Sequence, residues 1–439
     1  MNERPKNIVV CIDVGTTKTC TIIAELKTLS KNGGVDSKAY IEENNKESQR
    51  ILENKINILG VGQVPSFGLK KGLVVNIDKT ISSIKSSLLE AQKTAQIDAI
   101  KNDFKTYISI AGPHIHCFNH RLSMALKGVE VSSKDVEKLL DMANFIEMPA
   151  DRKIIQVVPQ EYFVDEVAEI RNPVGMNGKI LEVDLHVVTG SINAISNLTK
   201  CVERSQIKVD EIVLQPMASS EAVLREEDKE AGVLLVDIGG GTTDVALWSN
   251  GVLLQSEIVA IGGNHFSNDL SVALNTSLIE AEKIKINYGH VITERVNSKA
   301  HISIQGLNGT RPREVPLTYV SEILSSRAME LLSIIKKLLF ANKKKMEGIS
   351  GVVLTGGGAK IRGLAILAEA IIGVPTKVGY PPYVLNNQGL QYPEYSTGLG
   401  LVIWAQRKYE EDFSQFEINK QSFIYRINES LRNAFKELF

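Results

Sequence analysis

The sequence predicts an α/β protein of two related lobes, with a smaller α+β module inserted in the first and an amphipathic helix at the C-terminus. Three observations carry that prediction. "VDIGGGTTDVALW" (Val236–Trp248) sets an aspartate, three glycines, two threonines and a second aspartate between two apolar runs. "IVVCIDVGTTKTCTIIAEL" (Ile8–Leu26) has the same layout: apolar run, Asp, Gly, a Thr-containing turn, apolar run. Between them, residues 107–190 change style, with short β-like pieces around one helix. A duplication on this scale implies two lobes facing each other.

At 439 residues the chain is long enough for about two to four domains. Lys and Arg number 50 against 51 Asp and Glu, so no global field pulls toward nucleic acid or membrane. No nucleic-acid partner is expected, and any membrane affinity must be local. Cys11, Cys20, Cys117 and Cys201 show no C-x-x-C spacing. That argues against a disulfide framework or a zinc site and fits a reducing cytosol. The polar start, MNERPKN, does not read as a signal peptide. No apolar run reaches the roughly 18 residues of a membrane-spanning helix.

Taken in order, Ile8–Leu26 reads as two strands joined by the turn GTTKT. Thr28 to Asn57 is rich in Lys, Asn, Glu, Ser and Gly, and is expected to be a mobile insertion. Strand character returns at INILGVGQV, and a helix is expected over Ile77–Ala95. In the central module, YISIAG, IIQVVPQEYFV and ILEVDLHVVTG are strand-like. Its helix starts at the cap signal Ser132–Asp135 and carries Val136, Leu139, Leu140 and Ala143 at helical spacing. A helix near Ala194–Arg204 and the strand VDEIVLQ follow. Gly232 onward repeats the opening, and GVVLTGGGAKIRGL (Gly351–Leu364) reads as strand, loop and helix start.

The glycine turns suit phosphate. Glycine lets backbone N–H groups approach a ligand closely, and successive N–H groups in a turn form an anion-binding concavity. Aspartates beside polyphosphate need an intervening cation, and Mg²⁺ is held by one or two carboxylates plus phosphate oxygens. One Asp-x-Gly turn is usually only a tight hairpin. GGGTTD is not a dinucleotide fingerprint, because it leads into another strand, and no P-loop is present. Two matched hairpins plus the later TGGG loop point together to a Mg²⁺-nucleotide clamped from opposite sides.

These three motifs, in this order, resemble the phosphate-1, phosphate-2 and adenosine motifs of the actin, Hsp70 and sugar kinase ATPases. The resemblance implies an actin-like two-lobed ATPase fold that binds ATP and Mg²⁺. It assigns Asp13, Gly15, Thr16, Thr17 and Lys18 to phosphate 1, and Asp237, Gly239, Gly240, Gly241 and Thr242 to phosphate 2. Gly356, Gly357 and Gly358 fall in the adenosine loop, with Asp13 and Asp237 holding the metal through water. "AEKIKINYG" is similar to the helix that gives Glu282 and Lys285 to the ribose and adenine. A surface ion pair is the alternative for those two, and spacing alone leaves both readings open. Gln215 in LQPMASSEAV stands where many relatives carry a Glu. Gln orients a water but cannot take its proton, so at most slow ATP turnover is implied.

Within that superfamily, "VVPQEYFVDEVAEIRNPVGMNGKILEVDLHVVTG" (Val157–Gly190), "GLKKGLVVNIDKT" and "VERSQIKVDEIVLQPMASSEAVL" resemble the bacterial cell-division FtsA family. The resemblance covers nearly the whole chain and departs at Lys27 to Asn57. It implies subdomain 1A over 1–105, 187–214 and 388–410, with 1C over 106–186. It implies 2A over 215–263 and 345–387, 2B over 264–344, a flexible linker over 411–419 and a membrane-targeting helix over 420–439. It further implies self-association into filaments and other division proteins met through 1C. The tubulin-like protein FtsZ would dock its C-terminal peptide on 2B. "RPREVPLTYVSEILSSRAMELL" is similar to that docking site, giving Arg313 and Arg327 to acidic groups of the peptide. Solvated surface arginines are the alternative reading.

The tail has its own pattern. At roughly 100° per residue, Phe423, Ile424, Ile427, Leu431, Ala434, Phe435, Leu438 and Phe439 fall within an arc of about 160°. Arg426, Arg432 and Lys436 lie on or flank the other side, where basic side chains snorkel to lipid phosphates. Docking on its own domain or on a partner is the alternative. The charged tether before it and the family's amphipathic anchor favour membrane. The expectation is therefore an ATP-binding adaptor that self-assembles and ties FtsZ polymers to the cytoplasmic face of the membrane at the division septum. A pilus-assembly-type scaffold and a phosphotransferase of the same superfamily are the alternatives.

Overall fold

The structure is a computed structural model and describes residues 7–28, 55–100, 104–305, 312–340, 348–382, 384–386 and 389–414. The first lobe is built on β1 (Ile8–Val14), β2 (Lys18–Leu26), β3 (Ile56–Pro65), β6 (Lys105–Ile110) and β11 (Glu211–Leu214). Between β3 and β6 lie a short hairpin, β4 (Leu69–Lys70) and β5 (Leu73–Val74), and helix α1 (Ile77–Ala95). The sheet order is β11-β6-β1-β2-β3, antiparallel across β1-β2-β3 and parallel across β1-β6-β11. α1 begins where the Asn76 side chain accepts from the Lys79 amide, and it ends at Gln96 in a left-handed conformation. The expected mobile segment lies mostly outside the described residues; its last two residues, Ile56 and Asn57, open β3.

The second lobe repeats this plan. Its strands are β12 (Val233–Ile238), β13 (Thr243–Ser249), β14 (Val252–Val259), β17 (Gly351–Thr355) and β18 (Thr376–Val378). The order β14-β13-β12-β17-β18 is again an antiparallel meander joined to parallel strands. Alternation along β12 divides its burial. Val233 and Leu235 join the first core cluster, while Leu234, Val236 and Ile238 join the second. The strand is apolar on both faces because both faces are covered.

The inserted module has its own sheet of β7 (Ile115–Ala125), β8 (Arg152–Val164), β9 (Val167–Ile170) and β10 (Ile180–Ser191), in the order β7-β10-β8-β9. Helix α2 (Ser133–Asp141) covers it, with Leu139 fully buried against Leu181, Val183, Leu185 and Val187. The expected cap is a complete capping box between Ser132 and Asp135; a Ser132→Ala change costs about 1 kcal/mol. The module also docks on the second lobe. Gln160 donates to the carbonyls of Leu253 and Leu254, Asn119 donates to Leu254, and buried His186 lies 2.8 Å from Ser256 Oγ.

After the module come α3 (Ile192–Glu203), α4 (Gln215–Val223) and α5 (Glu226–Ala231). Beyond β14 lie α6 (Gly263–Ala273), α7 (Leu278–Tyr288), the pair β15 (His301–Ile304) and β16 (Arg313–Pro316), and α8 (Leu317–Phe340). Helix α9 (Leu364–Ile372) and a last helix, α10, over 396–414 complete the chain described.

Two expectations need correction. Gln215 does not end the strand VDEIVLQ; β11 stops at Leu214 and Gln215 is the first residue of α4. Pro216 explains the switch, because proline is preorganised for the first helical turn and its missing N–H is no loss there. The linker expected over 411–419 does not begin at 411, since α10 continues to 414. Phe413 packs against the first core, and Lys105 pairs with Asp412 at 2.7 Å.

Candidate nucleotide site

β1 and β2 meet at a turn whose mouth is closed by Gly15 N–H donating to Lys18 O at 3.0 Å. β12 and β13 meet at a matching turn, where Gly239 N–H donates to Thr242 O at 3.0 Å. The registers correspond, Asp13 lying opposite Cys20 and Asp237 opposite Asp244. The two turns face each other closely. A Cβ added to Gly240 would lie 2.3 Å from Thr17 Cγ2, and one added to Gly241 would lie 2.6 Å from Thr16 Oγ1. Glycine is required there because the opposite hairpin occupies the space a side chain would need.

Between the lobes lies a cleft of about 380 Å³, within the usual range for a small-molecule site. Every nucleotide-binding residue expected from the sequence lines it: Asp13, Gly15, Thr16, Thr17, Lys18, Asp237, Gly239, Gly240, Gly241, Thr242, Glu282, Lys285, Gly356, Gly357 and Gly358. Gln215 lines it as well. Gly356 holds φ +79° after β17, and a Cβ on it would lie 2.2 Å from Asp237 Oδ1, so the third glycine loop seats directly on the second aspartate.

Asp13 accepts from Ser109 Oγ at 2.7 Å and from Gln215 Nε2 at 3.3 Å. Asp237 accepts from Ser219 Oγ and, at 3.3 Å, from Thr397 Oγ1. Burial pushes the Asp13 carboxyl above the usual range, opposed by Lys18 and by the Ser109 hydroxyl. Burial likewise pushes Asp237 up to about 6, opposed by Ser219 and assisted by the negative charge of Asp13. Asp244 is raised well above the usual range, by burial and by Asp237 and Asp13, and its buried Oδ1 has no hydrogen-bond partner among the described residues. Three buried carboxylates lining one cleft fit a divalent cation, which favours their ionised forms. Among the described residues no cluster of three or more His, Cys, Asp or Glu forms a self-sufficient metal cage. Mg²⁺ would complete its shell with water and phosphate oxygens.

Glu282 and Lys285 are both an ion pair and part of the site. Lys285 Nζ lies 2.8 Å from Glu282 Oε2 and donates to Gly263 O at 3.0 Å, with its side chain 11% exposed. The Ser267 hydroxyl donates to the same Glu282 oxygen. Lys18 reaches the carbonyl of Glu394 and lies 4.0 Å over the Tyr395 ring. Sequence reasoning missed Ser109, Ser219, Asp244 and Thr397. Of these only Asp244 had a signal, its matched position on β13.

Arg313 and Arg327 lie away from the cleft. Arg313 donates to Leu274 O. Arg327 makes a two-bond pair with Asp269, at 2.5 and 2.9 Å, and also meets Glu330. A peptide carboxylate at Arg327 would share or displace these partners. The tail residues expected to meet a membrane (Phe423, Ile424, Arg426, Ile427, Leu431, Arg432, Phe435, Lys436, Leu438 and Phe439) lie outside the described residues. Among the described residues no helix is long and apolar enough to cross a membrane.

Comparison with known proteins agrees with this fold. The family model "Cell division protein FtsA" matches residues 234–400, and "SHS2 domain inserted in FTSA" matches residues 112–189, the inserted module. Cell division protein FtsA of Pseudomonas aeruginosa is 33% identical over 408 residues, covering 93% of this chain and 91% of its own. The Escherichia coli K12 protein of the same name is 29% identical over 449 residues, covering 98% and 99%. Among solved structures, a PilM–PilN type IV pilus biogenesis complex aligns with a TM-score of 0.61 at 16% identity, covering 91% of this chain and 98% of that one. MreB5 of Spiroplasma citri bound to ADP aligns with a TM-score of 0.54 at 14% identity, covering 92% and 98%. These structures share the actin-like fold. The chain belongs to the FtsA family of cell-division proteins.

Proposed function

We propose that this FtsA-family chain is an ATP-dependent adaptor that assembles on the cytoplasmic face of the membrane and tethers FtsZ polymers there at the division septum. The observation that carries the reading is the convergence of three glycine loops, from residues 13–18, 237–242 and 356–358, on one cleft with two buried aspartates. ATP would place its phosphates between the two hairpins and its adenosine by Gly356–Gly358, Glu282 and Lys285. Asp13 and Asp237 would hold Mg²⁺ through water. Bound nucleotide supplies the negative charge and metal that the paired lobes are shaped to enclose. With Gln215 near the phosphates in place of a carboxylate, nucleotide acts as a conformational ligand, and turnover is slow at most.

The closed form self-associates through the inserted module and the small subdomain carrying α6 to α8, and other division proteins meet the inserted module. Arg313 and Arg327 receive acidic groups of the FtsZ C-terminal peptide. Residues 420–439 bind lipid weakly as single helices, and assembly multiplies that affinity through avidity. Liposome co-sedimentation of the full chain, with and without Mg²⁺ and ATP, tests this beside a chain lacking Lys420–Phe439. The full chain should sediment, more so with nucleotide, and the shortened chain should stay in solution while binding ATP normally. Equal sedimentation of both would refute the anchor.

A further inference from the structure

Helix α4 leaves the first sheet at Leu214 and leads toward the second, with residues 216–222 buried. Residues four apart on a helix share a face. On this one, Gln215 Nε2 donates to Asp13 Oδ1 at 3.3 Å and to Ser109 Oγ at 3.1 Å. One turn later Ser219 Oγ donates to Asp237 Oδ2, and Thr397 Oγ1 lies 3.0 Å from Ser219 Oγ and 3.3 Å from the same carboxylate oxygen. The two aspartates come from different lobes, and no backbone pairing joins β1 to β12. A single helical turn touches both.

The opposite side of α4 is fixed. Glu221, with its side chain 3% exposed, lies 3.2 Å from Lys229 and 2.7 Å from Arg407. Trp248 Nε1 donates to Ser220 Oγ at 2.9 Å. A Cβ on Gly400 of α10 would lie 1.8 Å from Ala218 O, so the two helices are in backbone contact. A helix clamped this way cannot drift between the lobes without breaking the buried Glu221–Lys229 ion pair.

We propose that Gln215 and Ser219, supported by Thr397, are positioning residues: one turn of α4 sets the separation and orientation of Asp13 and Asp237, so that both carboxylates face one Mg²⁺–phosphate group. This rests on the Mg²⁺-ATP reading above. It gives the Gln215 amide the task of orienting Asp13. It also makes Ser219 an outer partner of the metal site, the class of residue whose loss lowers metal affinity about 10- to 100-fold.

The test is ATP affinity of the full chain, read by displacement of a fluorescent ATP analogue in Mg²⁺ and again in EDTA. The unaltered chain must bind more tightly in Mg²⁺; if it does not bind, the nucleotide reading fails before this proposal is reached. Ser219→Ala should lose about tenfold in Mg²⁺ and nothing in EDTA, at an unchanged melting temperature in EDTA. Ser219→Thr, which keeps the hydroxyl, should restore Mg²⁺ binding. Gln215→Ala should show the same Mg²⁺-specific loss. If Ser219→Ala does not fold, Thr397→Val, which removes the second hydroxyl at Asp237, must show that loss. Equal losses in Mg²⁺ and EDTA, or none, would overturn the proposal.

Discussion

Asp13 and Asp237 hold the same place in two sheets of the same strand order, yet their surroundings differ in charge. Across the strand pair Asp13 faces Cys20, whereas Asp237 faces Asp244. Lys18 is the leading opposing charge at Asp13 but the weakest influence on Asp237, where the buried Asp13 and Asp244 carboxylates are neighbours. The comparison teaches that a duplicated hairpin has divided its work. The first copy carries a cation, Lys18, and the second concentrates negative charge; in the proposed function the first would meet phosphate and the second metal.

The largest expected effect breaks the second half of that division. Asp237→Ala should lower ATP affinity about 100-fold in Mg²⁺ and little in EDTA, as measured by nucleotide titration, with polymer formation lost alongside. Lys18→Met should instead cost about tenfold with or without Mg²⁺, because a phosphate contact is lost and not a metal contact. Identical Mg²⁺ dependence of the two variants would erase the distinction between the lobes. Asp244→Asn should stabilise the ligand-free chain by about 1–3 kcal/mol near neutral pH, read by thermal unfolding, because it removes an ionisable carboxyl that burial and the Asp237 and Asp13 charges raise well above its usual range.

The smallest effect is in pH. Asp237 is raised from 3.8 to about 6 in the folded chain, so the folded state binds the extra proton between those values. Its charge burdens the ligand-free protein above about pH 6, and stability from this group is regained as pH falls toward 3.8. Mg²⁺ requires the ionised form. The thermal shift given by Mg²⁺-ATP should therefore be smaller near pH 5 than near pH 7.5, while the shift by ATP in EDTA should change less.

Much of this was legible in the sequence, for stated physical reasons. Asp13 and Asp237 sit near strand ends and the glycines in the turns that follow, where local chemistry repeats, so their pattern survives without the fold. The Ser132 cap and the span of α1 follow from local rules of the same kind. Ser109, Ser219 and Thr397 were not legible. They come from separate chain segments and reach their carboxylates over 96, 18 and 160 residues, and a lone hydroxyl has no spacing signature. The acidic run after Tyr409 reads as solvated linker, yet Phe413 within it packs on the first core and draws α10 on to residue 414. Phe413 outweighs the charges beside it, because apolar burial stabilises more than an exposed ion pair does.

Hydrogen exchange of the full chain with and without Mg²⁺-ATP tests the central claim most directly. A nucleotide clamped between the lobes should slow exchange together at residues 14–18, 238–243 and 356–360. Slowing confined to one lobe, or absent from both turns, would contradict a shared site.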